Sequence, residues 1–407
     1  MIKPHRWRRA LGVLTLAAML WAMAPAPAGA SGGTGGARDP ITPGEVILRL
    51  NDAADLPTLA AQYQLDPTPI DQLSIAPLYL MRIADGASPD VRAAALAADL
   101  RVTYAEPNVI GSSAEDQGVT GWASGVTGWA SGGAATYQGQ WAPTVIRLPQ
   151  AFTVTRGAGV TVAVLDTGVD ATHPDLAGHL VAGYDFVDDD ADPSEVGVAG
   201  VDRAYGHGTF VTGLVALSAP DARIMPVRVL DPNGMGDVWR LAKSMVWAAM
   251  NGANVINLSL GTYTRTHVTN ELVSDLEASG RGVVVVAAAG NDASNTPEFP
   301  AGEGGSRVLS VGASTPSDTL ATFSDYGSWV RVAAPGLSVW STVPGGQYAT
   351  WSGTSMATGF ASGEAALVLA AYPSFSAQDV IARIANTSKK ISGAVPLRID
   401  AGASVGR

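Results

Sequence analysis

From about residue 140 onward, short apolar runs without polar alternation recur at 160–165, 255–260, 283–288 and 308–311. Between them lie stretches with helical character, among them 239–250 and 270–279. Uniformly apolar strands are buried on both faces, and strands that alternate with helices pair in parallel. The pattern predicts an α/β fold: a mostly parallel central sheet with helices on each side. In that architecture ligand chemistry gathers at the carboxyl ends of the strands.

The upstream stretch reads differently. Residues 45–50, 78–83 and 102–105 have strand character, while 56–65 and 88–100 have helical character, the latter opened by Ser88-Pro-Asp90. This order predicts a split βαβ unit, a small α+β ferredoxin-like domain over 45–113. Residues 31–44 form a Gly-rich linker ahead of it, and 114–138 a Gly/Ser/Trp-rich linker behind it. The second linker holds a duplication, Gly118-Val-Thr-Gly-Trp-Ala-Ser124 followed by Gly125-Val-Thr-Gly-Trp-Ala-Ser131. Two copies are too few for a solenoid, and an exposed loop of small residues is a favoured place for a precursor to be cut. The larger domain then spans 139–407.

Residues 1–30 have the pattern of a secretory signal peptide. A basic head (Lys3, Arg6, Arg8, Arg9) precedes an apolar run over 11–24 and the triplet Ala28-Gly-Ala30. That run is shorter than the roughly 20 residues that cross a bilayer, so a secreted protein with no membrane association after processing is expected. Removing four basic and no acidic residues leaves 21 basic against 36 acidic, a net charge of −15. Such a surface repels phosphates, which argues against nucleic acid as a partner. With no cysteine in 407 residues, thiol catalysis, disulfides and zinc–thiolate sites are excluded.

Four local motifs carry candidate chemistry. In Val162-Ala-Val-Leu-Asp-Thr-Gly168, Asp166 stands at the carboxyl end of a strand, where a buried carboxylate needs partners; alone it reads equally as a metal ligand or a structural acceptor. In Gly206-His-Gly-Thr209, His207 is bracketed by glycines and followed by an apolar helical run. His173, in His173-Pro-Asp-Leu176, reads as structural. In Ser352-Gly-Thr-Ser-Met-Ala357, Ser355 opens a helix, where free N–H groups favour negative charge; a plain N-cap serine is the alternative. Asn291 ends the strand 283–288 in a Gly-Asn turn, as a turn cap or as an amide donor into a cleft.

Taken in order, Asp166, His207, Asn291 and Ser355 with their contexts resemble the subtilisin-like serine proteases. The resemblance continues through Phe299-Pro-Ala301, Phe323-Ser-Asp-Tyr-Gly327, Ala334-Pro-Gly336 and Ser341-Thr-Val-Pro-Gly345. It implies a secreted serine endopeptidase made as a self-processing precursor, with polypeptides as substrates. Asp166, His207 and Ser355 would form the triad, and Asn291 with the Ser355 N–H would receive the oxyanion. The segment ending Tyr104-Ala-Glu-Pro-Asn108 looks like the family's propeptide, an intramolecular inhibitor and chaperone. No cofactor is required for such chemistry.

The same resemblance places substrate-binding walls at Ser259, Leu260 and Gly261 and at 288–290, with Gly234 and Gly236 on an edge strand that pairs with extended substrate. Glu298 would lie near the floor of the specificity pocket and Asp292 near its rim, admitting Lys or Arg as well as apolar side chains. The chain departs from the family at Gly359 and Phe360, usually proline and histidine, and at Phe210, usually histidine. Leu217-Ser-Ala-Pro220 leaves no room for a long calcium loop involving Asp175. Asp188, Asp189, Asp190 and Asp192 are a candidate for structural calcium or a solvated acidic loop. The rival functional reading is a catalytically inactive binding protein on the same fold.

Overall fold

The computed structural model describes residues 39–113 and 132–406. The signal segment, most of the first linker and the duplicated heptapeptides lie outside these residues.

Residues 39–113 form the expected split βαβ unit. Its elements are β1 (Ile41–Leu50), α1 (Leu56–Gln62), β2 (Asp71–Leu73), β3 (Leu78–Arg82), α2 (Pro89–Ala97) and β4 (Val102–Ser113). The strands pair antiparallel in the order β4-β1-β3-β2. Alternation along β1 sends Val46 and Leu48 to a core shared with Leu59, Met81 and Leu96, while Ile47 faces the other way. Ser88 caps α2 by accepting from Val91 N, with Pro89 at the first helical position. β4 runs eight residues past the strand expected at 102–105, because Ile110–Ser113 pairs with strands of the larger region.

The larger region is built on β5 (Thr161–Asp166), α3 (His207–Ser218), β6 (Arg223–Arg228), β7 (Met235–Asp237), α4 (Val238–Met250), β8 (Val255–Leu258), β9 (Leu260–Gly261), α5 (His267–Ala278), β10 (Val284–Ala288), β11 (Val308–Ser314), β12 (Val332–Pro335) and α6 (Thr354–Ala371). The central sheet runs β12-β11-β10-β8-β5-β6, all parallel, with short edge strands at Tyr184–Asp185, Leu397–Arg398 and Lys389–Lys390. Every residue of β8, β10 and β11 is buried, as uniformly apolar strands require. After β5 the chain moves outward to β6 and then returns past β5 to β8. This order reversal makes the β5–β8 boundary the switch point of the sheet, the place where such folds open a crevice. The large region begins slightly before 139: Ala134–Gln138 is helical, and buried Tyr137 donates to Gly213 O at 2.5 Å.

Candidate functional site

Asp166 ends β5 at the switch point and is 1% exposed. Its Oδ1 accepts from Thr167 N at 2.8 Å and faces His207 Nδ1 at 2.6 Å. A carboxylate bonded to Nδ1 leaves Nε2 as the nitrogen available for proton exchange. His207 is the first residue of α3, entered through Gly206 at φ +87°, a left-handed conformation that favours glycine. Gly208 is needed for a different reason. A Cβ there would sit 2.1 Å from Gly168 O and 3.1 Å from Asp166 Cβ, so only glycine lets the helix start so close to the strand end. Thr167 Oγ1 accepts from Gly208 N at 2.9 Å and closes the junction.

Ser355 lies in the first turn of α6 and is fully buried. Its Oγ donates to Ser259 O at 3.3 Å, and Ser259 Oγ donates back to Ser355 O at 3.3 Å. Asn257 Nδ2 donates to Ser259 Oγ at 3.0 Å, and Ser362 Oγ to Asn257 Oδ1 at 2.9 Å, so one polar chain ties the end of β8 to α6. Just beyond β10, Asn291 Oδ1 accepts from Thr354 N at 2.9 Å, which leaves Nδ2 as its donor group. Gly290 N donates to Thr354 Oγ1 at 3.2 Å. The starting turn of α6 is thus stitched to two neighbouring strand ends.

The two helices meet in register. A Cβ on Gly359 would lie 3.0 Å from Leu214 Cβ and 3.3 Å from Val211 O, and one on Gly363 would lie 2.2 Å from Ser218 Cβ. The contacts advance together along both helices, so α3 and α6 run parallel and begin at the same edge of the sheet. One turn before the Val211–Gly359 contact stand His207 and Ser355. Gly359, a departure from the family pattern, therefore serves close helix packing. Phe210 stacks on Trp351 with ring centroids 4.2 Å apart, and its carbonyl accepts from Ser341 Oγ at 2.6 Å.

The edge segments around the cleft hold the chain's own β4. Gly111 pairs with Gly236, Ser112 with both Met235 and Gly261, and Ser113 with Leu260, all antiparallel. Ser113 N donates to Gly234 O at 2.8 Å. Glu298 packs behind Gly261 and Gly290, its oxygens 3.0 and 2.3 Å from where their Cβ atoms would be.

His173 is structural: buried, with Nε2 2.9 Å from Gln347 O. Asp175 accepts from Tyr348 OH at 2.7 Å. The acidic loop does not converge on one point. Asp188 is bound to Arg228 at 2.5 Å, Asp189 accepts from Tyr184 OH, and Asp190 and Asp192 close turns within the loop. Among the described residues no group of three or more His, Asp or Glu is arranged to hold a metal. Asp292 is exposed and receives the Tyr263 hydroxyl.

Two positioning residues escaped the reading of motifs. Glu195 Oε2 accepts from Thr209 N at 3.2 Å and Thr209 Oγ1 at 2.9 Å, anchoring the first turn of α3. It sits in a loop with no periodicity. Asn257 was hidden in an apolar run, although a single amide inside a buried strand is itself a signal, since it must find partners.

The subtilase family profile matches residues 157–401. The chain is 41% identical over 304 residues to a thermophilic serine proteinase of Bacillus sp. (strain AK1), covering 72% of this chain and 69% of that protein. It is also 41% identical over 264 residues to thermitase of Thermoactinomyces vulgaris, covering 62% of this chain and 90% of thermitase. Among solved structures it superposes on fervidolysin from Fervidobacterium pennivorans, described as a keratinolytic enzyme related to subtilisin. The TM-score is 0.72 at 26% identity, covering 90% of this chain and 61% of fervidolysin. With the profile spanning the sheet, both helices and all four motif residues, the chain belongs to the subtilase family and is a serine endopeptidase.

Proposed function

We propose that the protein is a secreted precursor whose larger region cleaves internal peptide bonds with Asp166, His207 and Ser355, and whose residues 45–113 are its propeptide. The observation that carries this reading is the buried Asp166–His207 contact of 2.6 Å at the start of a helix running parallel to the one that opens with Ser355. Ser355 Oγ bonds to the substrate carbonyl carbon as its proton passes to His207 Nε2, and Asp166 stabilises the resulting imidazolium. The carbonyl oxygen becomes an oxyanion, received by Asn291 Nδ2 and the Ser355 N–H. Collapse breaks the C–N bond, and the amine leaves with the proton from His207. Water, deprotonated by the same imidazole, then releases the acyl group.

The propeptide role is supported by β4, which occupies the edges at Gly234, Gly236, Leu260 and Gly261 as an extended peptide substrate would. Export is supported by residues 1–30. A fluorophosphonate probe tests the chemistry: labelling of wild type and not of Ser355→Ala is expected. Equal labelling of both, or of neither, rejects the triad. Intact mass of the purified mature protein tests processing, with an amino end after residue 113 expected.

A further inference from the structure

The helix that presents His207 begins without a cap of its own. Gly206 holds the N-cap position at φ +87°, and glycine has no side chain to accept from the first turn. The N–H groups of that turn are taken instead by two other segments. Gly208 N donates to Thr167 Oγ1 at 2.9 Å, and Thr209 N to Glu195 Oε2 at 3.2 Å. Thr209 Oγ1 donates to the same carboxyl oxygen at 2.9 Å and accepts in turn from Asp170 N at 2.9 Å. The Gly206 N–H and the Thr167 hydroxyl also face the Glu195 carboxyl, whose Oε1 is shielded from solvent.

The backbone fixes Glu195 at this spot. Its N donates to Val169 O at 3.1 Å and Val169 N donates to Pro193 O at 3.0 Å, which stitches the loop to the segment leaving β5. Gly168 lets the two run that close: a Cβ there would lie 2.7 Å from Ser194 O and 2.9 Å from Pro193 O. Asp166 and Glu195 therefore flank the start of α3, one on the imidazole and one on the turn behind it. The groups that bond to Glu195 all donate, which is the setting that holds a carboxylate ionised. Its charge matters because the positive end of a helix opposes a positive charge on the first residue. That first residue is His207, which becomes an imidazolium as Ser355 attacks.

We propose that Glu195 is a positioning residue for the hydrolytic reaction: from the far side of the first turn of α3, its carboxylate supports the positive charge that His207 acquires. This rests on the peptidase reading above. Burial raises Glu195 above the ordinary carboxylate range, hydrogen bonds from Thr167, Gly206 and Thr209 draw it back, and the charge of Asp166 raises it again. Tyr205 also lies in reach of this charge, raised by burial and then by Glu195 and Asp170. Removing the charge of Glu195 while keeping its shape destabilises the imidazolium. His207 then loses its proton at lower pH and becomes a weaker base, so the variant stays active further into acid while its plateau rate drops. The comparison of plateaus belongs at pH 8 to 9, above the range in which Glu195 itself takes up a proton.

The test is Glu195→Gln in the mature enzyme, with kcat and KM for a peptide anilide followed from pH 5 to pH 9 and rates taken per site labelled by a fluorophosphonate. Glutamine keeps an acceptor for Thr209 N and removes the charge. The acid limb of kcat/KM should move toward acid by about 0.5 to 1 pH unit, and plateau kcat should fall about three- to tenfold with KM changed less than about twofold. Glu195→Asp, which keeps the charge on a shorter arm, should leave the limb near its wild-type position. A Glu195→Gln limb within about 0.1 unit of wild type, or moved toward alkali, overturns the proposal whatever happens to kcat, since a purely structural loss lowers the rate without moving the titration. Should Glu195→Gln yield no labelled sites, Glu195→Asp and Glu195→Asn form the same comparison one methylene shorter. The Asn limb should then lie to the acid side of the Asp limb, and coincident limbs overturn the proposal while leaving the peptidase reading intact. Failure of wild type to cleave any peptide removes the peptidase reading and this proposal together.

Discussion

The two described regions differ in what they bury and against what. The sheet of the larger region is parallel and covered by its own helices, with α6 and α3 on one face and α4 and α5 on the other. The small region is antiparallel and covers only one face of its sheet with α1 and α2. The other face, with Ile47, Leu73, Leu80 and Tyr104, joins a core completed by Trp239, Met245, Val268 and Leu272 of the larger region. Around that apolar centre lies a charged rim. Arg49 grips Asp275 at 2.6 and 3.0 Å and Glu271 at 3.0 Å, and Lys243 holds Asp71 at 2.8 Å. Glu106 accepts from His267 N at 2.6 Å and Val268 N at 2.8 Å, capping the positive end of α5. One region is internally complete, whereas the other borrows half of its core. Only the second is suited to leave.

The largest expected effect tests whether chemistry resides wholly in the complete region. Ser355→Ala should lower turnover by about 10⁶, a magnitude carried over from subtilisin itself rather than derived from this geometry. It should also leave the precursor uncut, as read by intact mass. Next, Phe210→Ala removes a fully buried ring stacked on Trp351 and should cost the larger region about 3–5 kcal/mol in denaturant unfolding. A loss below about 1 kcal/mol would show that α3 and the segment carrying Trp351 pack less interdependently than described.

A third test separates the regions by pH. Glu364, wholly buried in α6, is pushed by burial from 4.5 up to about 8. Folding favours its protonated form, so its contribution is fully present below the ordinary carboxylate pKa and is lost as pH rises through about 8. Stability of the larger region should fall across that window by a few kcal/mol, and Glu364→Gln should flatten the slope. The smallest effect concerns the rim. Arg49→Ala should speed release of the small region by about five- to a hundredfold, through the loss of about 1–3 kcal/mol of charge-assisted bonding, and 0.5 M NaCl should blunt the difference between wild type and variant.

Much of the larger region was legible because apolar strands and glycine-flanked polar residues leave local marks. Asp166, His207, Asn291 and Ser355 each sit at a strand end or helix start, where the change of pattern is abrupt. What stayed hidden depends on partners distant in the chain. Residues 106–113 hold a proline and several polar residues and do not read as a strand, yet β4 continues through them because β7 and β9 supply the hydrogen bonds. Glu195 lies in a loop and takes its meaning from groups brought beside it by folding. The acidic stretch at 188–192 looked like a cation site because Arg228, its actual counter-charge, lies about forty residues away.

The intrusion of β4 between two edges of the cleft also sets how activity would be switched on. A strand attached to its own enzyme is present at a local concentration on the order of millimolar, however dilute the protein, if the connection is short and flexible. Once that connection is cut, the freed segment rebinds only as often as bulk concentration allows. On the precursor reading proposed above, dilution would then be the trigger: crowded molecules would stay blocked by their detached segments, while dispersed ones would lose them.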